Sequence, residues 1–155
     1  MIALKKILVP TDFSTTSGVA LKYARSFAHE FDASLDVLHV LEDPLVYPAT
    51  MEWYPIPTTN YREEMEQGAR VRLESLVAPA EREAPPVKLV TCWGSPFVEI
   101  IRYAKAEDID LIVMGSLGLG PVGHMLMGSV AEKVVRKAPC PVLTVRHPEH
   151  EFVMP

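Results

Sequence analysis

The sequence predicts an α/β fold: a single doubly wound, open parallel sheet of five strands with helices on both faces. Three observations predict it. Short apolar runs alternate with longer segments of helical period along the whole chain, in the order β-α-β-α-β-α-β-α-β. The first run, Ile7 to Val9 closed by Pro10, is unbroken, as expected of a strand buried on both faces of a parallel sheet. At 155 residues the chain has one domain's length, and right-handed crossovers then place each helix against the sheet.

Each element has its own signal. Lys6-Ile7-Leu8-Val9-Pro10 is the first strand, closed by a proline. Thr11, Asp12 and Phe13 lead to a polar start at Ser14 to Ser17, after which Val19, Ala20, Tyr23, Ala24, Phe27 and Phe31 recur at helical spacing as an apolar face. Ser34 to Val40 is the second strand. Asn60 to about Arg82 is a charged helix, with Asn60 and Glu63 placed as an N-cap and its N3 partner. Val87 to Trp93 is the third strand. Ser95-Pro96 supplies an N-cap followed by proline at the first helical position, opening a helix through Ala104 and Glu107 with Phe97, Ile100, Ile101 and Ala104 on its apolar face. Leu111 to Met114 is the fourth strand, Ser129 to Lys137 the last helix, and Val142 to Val145 the fifth strand, entered through Pro139-Cys140-Pro141. The expected domain is 1–147, followed by a tail over 148–155; His147 at the boundary and His150 both read as tail.

Composition bounds the partners. Apolar residues make up 48% and charged residues 23%, the proportions of a globular chain. The net charge is −5 and no Lys/Arg cluster exceeds Lys5-Lys6, so the electrostatic basis for binding nucleic acid or anionic lipid is missing. Leu111 to Ala131 is long enough to span a bilayer, which takes about 20 apolar residues. Its five glycines and Pro121 favour a strand followed by a loop. Cys92 and Cys140 lie far apart without metal-ligand spacing, and both are expected as buried apolar groups. With no signal-peptide pattern at the N-terminus, the expected compartment is a reducing cytoplasm. Leu41 to Thr59 has no period and carries Pro44, Pro48, Pro55 and Pro57 among Tyr47, Met51, Trp53 and Tyr54. A lid or partner arm and a solvent-draped excursion are equally open readings of it.

In open parallel sheets ligands lie beyond the carboxyl ends of strands, where neighbouring crossovers go to opposite faces. Two stretches qualify: Pro10-Thr11-Asp12, and the glycine-rich run from Gly115 to Ser129. A glycine-rich loop leading to a helix start offers backbone N–H groups and the positive end of the helix dipole to phosphate. Three motifs compete within the run. Gly118-x-Gly120-x-x-Gly123 matches the dinucleotide fingerprint, but the acidic ribose partner would fall near Leu143 and no second βαβ half follows. Gly123-x-x-x-x-Gly128-Ser129 has P-loop spacing with Ser where the phosphate-gripping Lys should stand. The third is Gly115-x-x-Gly118, nine residues, then Gly128-Ser129.

This third pattern resembles the nucleotide-binding signature of the universal stress protein family, ATP-binding branch. The resemblance covers nearly the whole chain, including Ile7-Leu8-Val9-Pro10-Thr11-Asp12-Phe13-Ser14, Asp110 to Ser116, Gly128 to Val134, and Ala138-Pro139-Cys140-Pro141-Val142-Leu143. It implies the adenine nucleotide alpha hydrolase-like sheet, with strand order 3-2-1-4-5. It further implies that the Val40 backbone meets adenine and that Asp12 and Gly115 lie near the ribose or a metal. Gly118, Gly128, Ser129 and Val130 would surround the phosphates, and Pro10, Thr11 and Met114 would shape the wall. ATP, with AMP or ADP as alternatives and Mg²⁺ or Mn²⁺ alongside, is the implied cofactor. A homodimer through Val142 to Val145 and an unidentified protein partner are the implied assemblies; an exposed edge strand also invites pairing on physical grounds.

Several residues carry a plainer reading beside the ligand one. Ser129 with Glu132 is also a capping box, and Asp12 could cap the first helix. His39 reads as a strand histidine, and Met125 and Met127 as packing. Leu117, Leu119 and His124 stand where many members of the family carry basic residues, so backbone donors and a hard cation would neutralise a triphosphate. A nucleotide-dependent switch or sensor in the stress response is the expected function. A slow ATPase is the alternative, disfavoured because Asp12 is the only obvious acid and the loop has no Lys or Arg. A nucleotide-free interaction module is the third.

Overall fold

The computed structural model describes residues 2–43, 60–79, 85–116 and 127–146. In chain order the elements are β1 (Lys6–Pro10), α1 (Thr15–Phe31), β2 (Ser34–Leu41), α2 (Tyr61–Leu76), β3 (Val87–Trp93), α3 (Pro96–Ala106), β4 (Leu111–Gly115), α4 (Ser129–Lys137) and β5 (Val142–Val145). The strands form one parallel sheet in the order β3-β2-β1-β4-β5. β1 is the hinge of this order: Ile7 pairs with Leu35 on one side and Leu111 on the other.

Alternation along β1 sorts the helices onto the two faces. Ile7 and Val9 point into a core with Leu35, Val37 and Val113, covered by Ala20, Leu21, Ala24 and Ala28 of α1 and by Leu73 of α2 with Val77. Leu8 points the other way, into a core with Leu38, Ile112 and Met114, covered by Ile100 and Ala104 of α3 and Ala131 and Val134 of α4. Complete burial of such aliphatic side chains stabilises the fold by about 1.5–3 kcal/mol each, and burial on both faces explains why Ile7 to Val9 of β1 and Leu111 to Met114 of β4 read as unbroken apolar runs. The chain switches faces between β1 and β4, which places the crevice of this fold at the carboxyl ends of those two strands.

Several local expectations are corrected. The buried face of α1 is made of Ser17, Ala20, Leu21, Ala24 and Ala28, while Tyr23 and Phe31 are 52% and 41% exposed. Small side chains take that face because α1 lies close on β1 and β4, leaving the rings to a flank. α2 ends at Leu76 rather than near Arg82: Val77 is extended (φ −132°, ψ 106°) and fully buried, and Pro79 disfavours helix at the residue before it. The capping box expected at Asn60 is not formed, since Asn60 (φ −104°, ψ 8°) is far from the extended geometry a capping side chain needs and contributes only its carbonyl, to Glu64 N–H at 3.0 Å. Ser95 likewise makes no side-chain cap, although Pro96 does occupy the first turn of α3. Cys92 and Cys140 are half-buried free thiols, each shifted upward in pKa first by burial.

Nearly all of the stretch from Leu41 to Thr59 lies outside the described residues, as do Gly118, His124, Met125, His147 and His150. Among the described residues no helix is long and apolar enough to cross a membrane, and Leu111 to Ala131 indeed begins as strand β4 and reaches helix α4 only at Ser129.

Candidate functional site

The turn from β1 into α1 is held by its own short polar side chains. Ser14 is the N-cap of α1, its Oγ accepting from Ser17 N–H at 3.2 Å. Asp12 therefore does not cap the helix. Its Oδ1 accepts from the N–H of the cap residue Ser14 at 2.9 Å, in the local turn that aspartate favours. Ser17 Oγ spends its proton on Ser14 C=O at 2.9 Å, so in the 3.1 Å contact with Thr11 Oγ1 it is Thr11 that donates. Thr11 Oγ1 in turn accepts from Phe13 N–H at 3.0 Å. Phe13 sits in the left-handed region (φ 64°), a conformation a non-glycine residue keeps only when its surroundings hold it there. They do: its ring lies 4.4 Å from the His39 ring, and the Arg72 guanidinium of α2 covers it at 3.9 Å.

β2 outlasts β1, and that exposes main chain at the crevice. The β1–β2 ladder ends at Pro10 opposite Leu38, with a last bond from Thr11 N–H to Leu38 C=O at 2.8 Å. Residues of even number in β2 aim their N–H and C=O at β1, as Ser34 and Leu38 do, and odd ones aim at β3, as Leu35 and Leu41 do. The N–H and C=O of Val40 accordingly face the space beyond the end of β1.

At the far side of the crevice β4 delivers Gly115 and Ser116. Ser116 N–H donates to Val145 C=O at 2.8 Å, and its carbonyl accepts from Gly128 N–H at 2.7 Å, which ties the end of β4 to the start of α4. Ser116 is 2% exposed, and among the described residues its hydroxyl has no hydrogen-bond partner. Strand alternation puts that hydroxyl on the same face as Met114, the face α4 covers. The N-cap of α4 is Gly128 (φ −71°, ψ 154°), not Ser129, so the Ser129–Glu132 capping box does not form and no side chain caps this helix start. A glycine cap leaves the first N–H groups of α4 open to an anion.

The structure thus brings Pro10, Thr11, Asp12, Val40, Met114, Gly115, Gly128, Ser129 and Val130 to the carboxyl end of the sheet, around the point where the chain changes faces. Pro10, Thr11 and Met114 are buried, Ser129 is exposed, and the others are half-buried. Gly118 lies outside the described residues. Among the described residues no cluster of three His, Cys, Asp or Glu could hold a metal unaided. Two residues at this crevice escaped sequence reasoning. Ser116 carried a weak signal, as the residue between the paired glycines of the motif; His39 carried none, because its partner stands 28 positions away.

Comparison with known proteins agrees with this geometry. The model of the universal stress protein family matches residues 3–146. A universal stress protein of Methanocaldococcus jannaschii is 36% identical over 149 residues, covering 95% of this chain and 85% of that protein. The solved structure of a second universal stress protein of that organism superposes with a TM-score of 0.78 at 31% identity, over 96% of this chain and 100% of the other. A universal stress protein solved in complex with cAMP shares the fold, with a TM-score of 0.67 at 21% identity over 93% of this chain and 98% of that one. With a family model spanning residues 3–146 and a relative 36% identical over 95% of this chain, the protein belongs to the universal stress protein family.

Proposed function

We propose that this protein binds an adenine nucleotide, ATP in the first instance, in the crevice between β1 and β4, and acts as a nucleotide-dependent switch or sensor in the stress response. The observation that carries the reading is the buried Ser116 hydroxyl, without a hydrogen-bond partner among the described residues, beside the start of α4, which has a glycine N-cap and no side-chain cap. A buried hydroxyl without a partner costs about 1–3 kcal/mol, and a ligand bringing oxygen acceptors to this spot removes that cost while meeting the free N–H groups of α4.

The remaining roles follow from position. Val40 offers one N–H and one C=O side by side, the pairing that the Watson–Crick edge of adenine complements with one acceptor and one donor. Asp12, with Oδ2 accepting no hydrogen bond among the described residues, is placed for the ribose or for a cation bound to the phosphates. Gly118, Gly128, Ser129 and Val130 surround the phosphates. Mg²⁺ or Mn²⁺ would enter with the triphosphate and supply charge neutralisation that Leu117, Leu119 and His124 do not. Hydrolysis, if it occurs, is slow, because the crevice combines one carboxylate with no lysine or arginine in the loop from Gly115 to Gly128. The reading further takes the protein as cytoplasmic and as a homodimer paired through β5, whose Val142 to Val145 pair, among the described residues, with β4 alone. A second protein would read the nucleotide state.

The test is calorimetric titration of purified protein, stripped of carried-over nucleotide, with ATP and Mg²⁺, alongside a Gly128→Val/Ser129→Ala variant. Binding at about micromolar affinity or tighter, near −8 kcal/mol, that is lost in the variant is the expected result. Clean wild-type protein that binds no adenine nucleotide would leave a nucleotide-free interaction module as the better account.

A further inference from the structure

The carbonyl of Thr11 has two possible partners on β2, and the structure gives it to a side chain. In a parallel ladder the bond from Thr11 N–H to Leu38 C=O is followed by one from Val40 N–H to Thr11 C=O. That second bond is not made. Instead Nδ1 of His39 stands 2.8 Å from the Thr11 oxygen. A carbonyl can only accept, so Nδ1 carries the proton and donates.

We propose that His39 is a positioning residue for the nucleotide crevice: by seating Nδ1–H on the Thr11 carbonyl it ends the β1–β2 ladder one rung early and keeps the Val40 N–H and C=O open to the base of a bound nucleotide. This inference rests on the adenine-nucleotide reading above. The geometry around the ring serves the same end. Phe13, held at φ 64°, lays its ring against the imidazole at 4.4 Å, and Arg72 closes the stack from α2 at 3.9 Å from the Phe13 ring. Burial is the largest influence on the imidazole and pushes its pKa down; the Thr11 hydrogen bond and Asp12 pull it up, and Arg72 again lowers it. The net result is a neutral ring whose one N–H is Nδ1–H. The same contact fixes the carbonyl immediately before Asp12, so one side chain sets the main chain of β2 that faces the base and the turn that presents the carboxylate.

Two substitutions separate this role from bulk packing. In His39→Leu the Thr11 carbonyl is released and Val40 N–H can take it; in His39→Asn the amide Nδ2–H stands where Nδ1–H stood. The first measurement is amide hydrogen exchange of nucleotide-free protein, followed by NMR. Val40 N–H should exchange freely in the wild type and in His39→Asn, and should become protected in His39→Leu. The second is ATP affinity by calorimetry, expected to fall about tenfold, or 1.4 kcal/mol, in His39→Leu and to return to within about threefold of wild type in His39→Asn. A Val40 amide already protected in the wild type, or equal ATP binding by wild type and His39→Leu, overturns the inference. Wild-type protein that binds no ATP while its Val40 amide behaves as expected overturns the nucleotide reading and leaves the ladder-ending role of His39 standing.

Discussion

Gly115 at the end of β4 lies so close to the first turn of α1 that a Cβ added to it would stand 3.0 Å from Thr16 Cγ2 and 3.2 Å from Ser17 N. The glycine is therefore required for packing whatever it does for a ligand, because the neighbour that must yield includes backbone. Gly115→Ala should destabilise the protein by about 1–3 kcal/mol through overpacking. For a chain of this length that lowers Tm by about 2–4 °C for each kcal/mol. An unchanged melting temperature would show that α1 adjusts freely, and would remove the tight β4–α1 contact from the account of this site.

Ser116 should show the opposite sign. Ser116→Ala deletes a buried hydroxyl that has no partner among the described residues, so the nucleotide-free protein is expected to gain about 1–3 kcal/mol. ATP affinity should fall in the same variant. Thermal melts with and without ATP read both effects together: a higher Tm without ligand and a smaller ligand-induced rise. A variant less stable than wild type would mean that the hydroxyl is satisfied in solution.

Acid should act through His39. Its folded pKa lies below the ordinary value, chiefly because the ring is buried, whereas the unfolded chain takes up its proton near pH 6.5. Between those two pH values the unfolded state binds more protons, so stability is full above about pH 6.5 and is lost as the pH falls towards the folded pKa. Urea midpoints measured from pH 8 to pH 5 should drop more steeply for the wild type than for His39→Asn. Parallel pH profiles would exclude His39 as the source.

On the opposite face of β2, Asp36 is 6% exposed and its Oδ2 accepts from the Tyr103 hydroxyl of α3 at 2.9 Å. The Tyr103 pKa is raised, first by burial and then by the hydrogen bond and charge of Asp36. Tyr103→Phe keeps the ring and removes the donor, leaving a buried carboxylate short of a partner, at a cost of about 1–3 kcal/mol. Chemical denaturation of the variant at neutral pH checks this; nucleotide affinity should not change, since the pair lies away from the crevice. Because a raised tyrosine pKa favours the protonated folded state, wild-type stability should also be lost as the pH rises above about 10.

Period and punctuation made most of the fold legible. All five strands were readable from short, mainly apolar runs, and Pro10, Pro96 and the Pro139 to Pro141 turn marked element ends to within a residue or two. The glycine spacing from Gly115 to Gly128 located one wall of the crevice and Pro10-Thr11-Asp12 the other. Local pattern was only partly right on α1: the expected face held Ala20 and Ala24, which are fully buried, and Val19 and Phe27, which pack against the same core, but also Tyr23 and Phe31, which the fold leaves exposed. It failed at helix starts, where Asn60 carries the right side chain for capping but not the backbone angles and Ser95 makes no side-chain cap.

What the sequence by itself determined, then, is the order and kind of the elements and the strand ends that meet at the crevice, because hydrophobic period and turn chemistry act over a few neighbouring residues. The tertiary structure alone decided which main-chain groups stay open there. Whether Thr11 C=O goes to His39 Nδ1–H or to Val40 N–H, and whether the Ser116 hydroxyl finds a partner, depends on the register of strands brought together from distant parts of the chain, and a hydrogen bond is made or lost over a few tenths of an ångström.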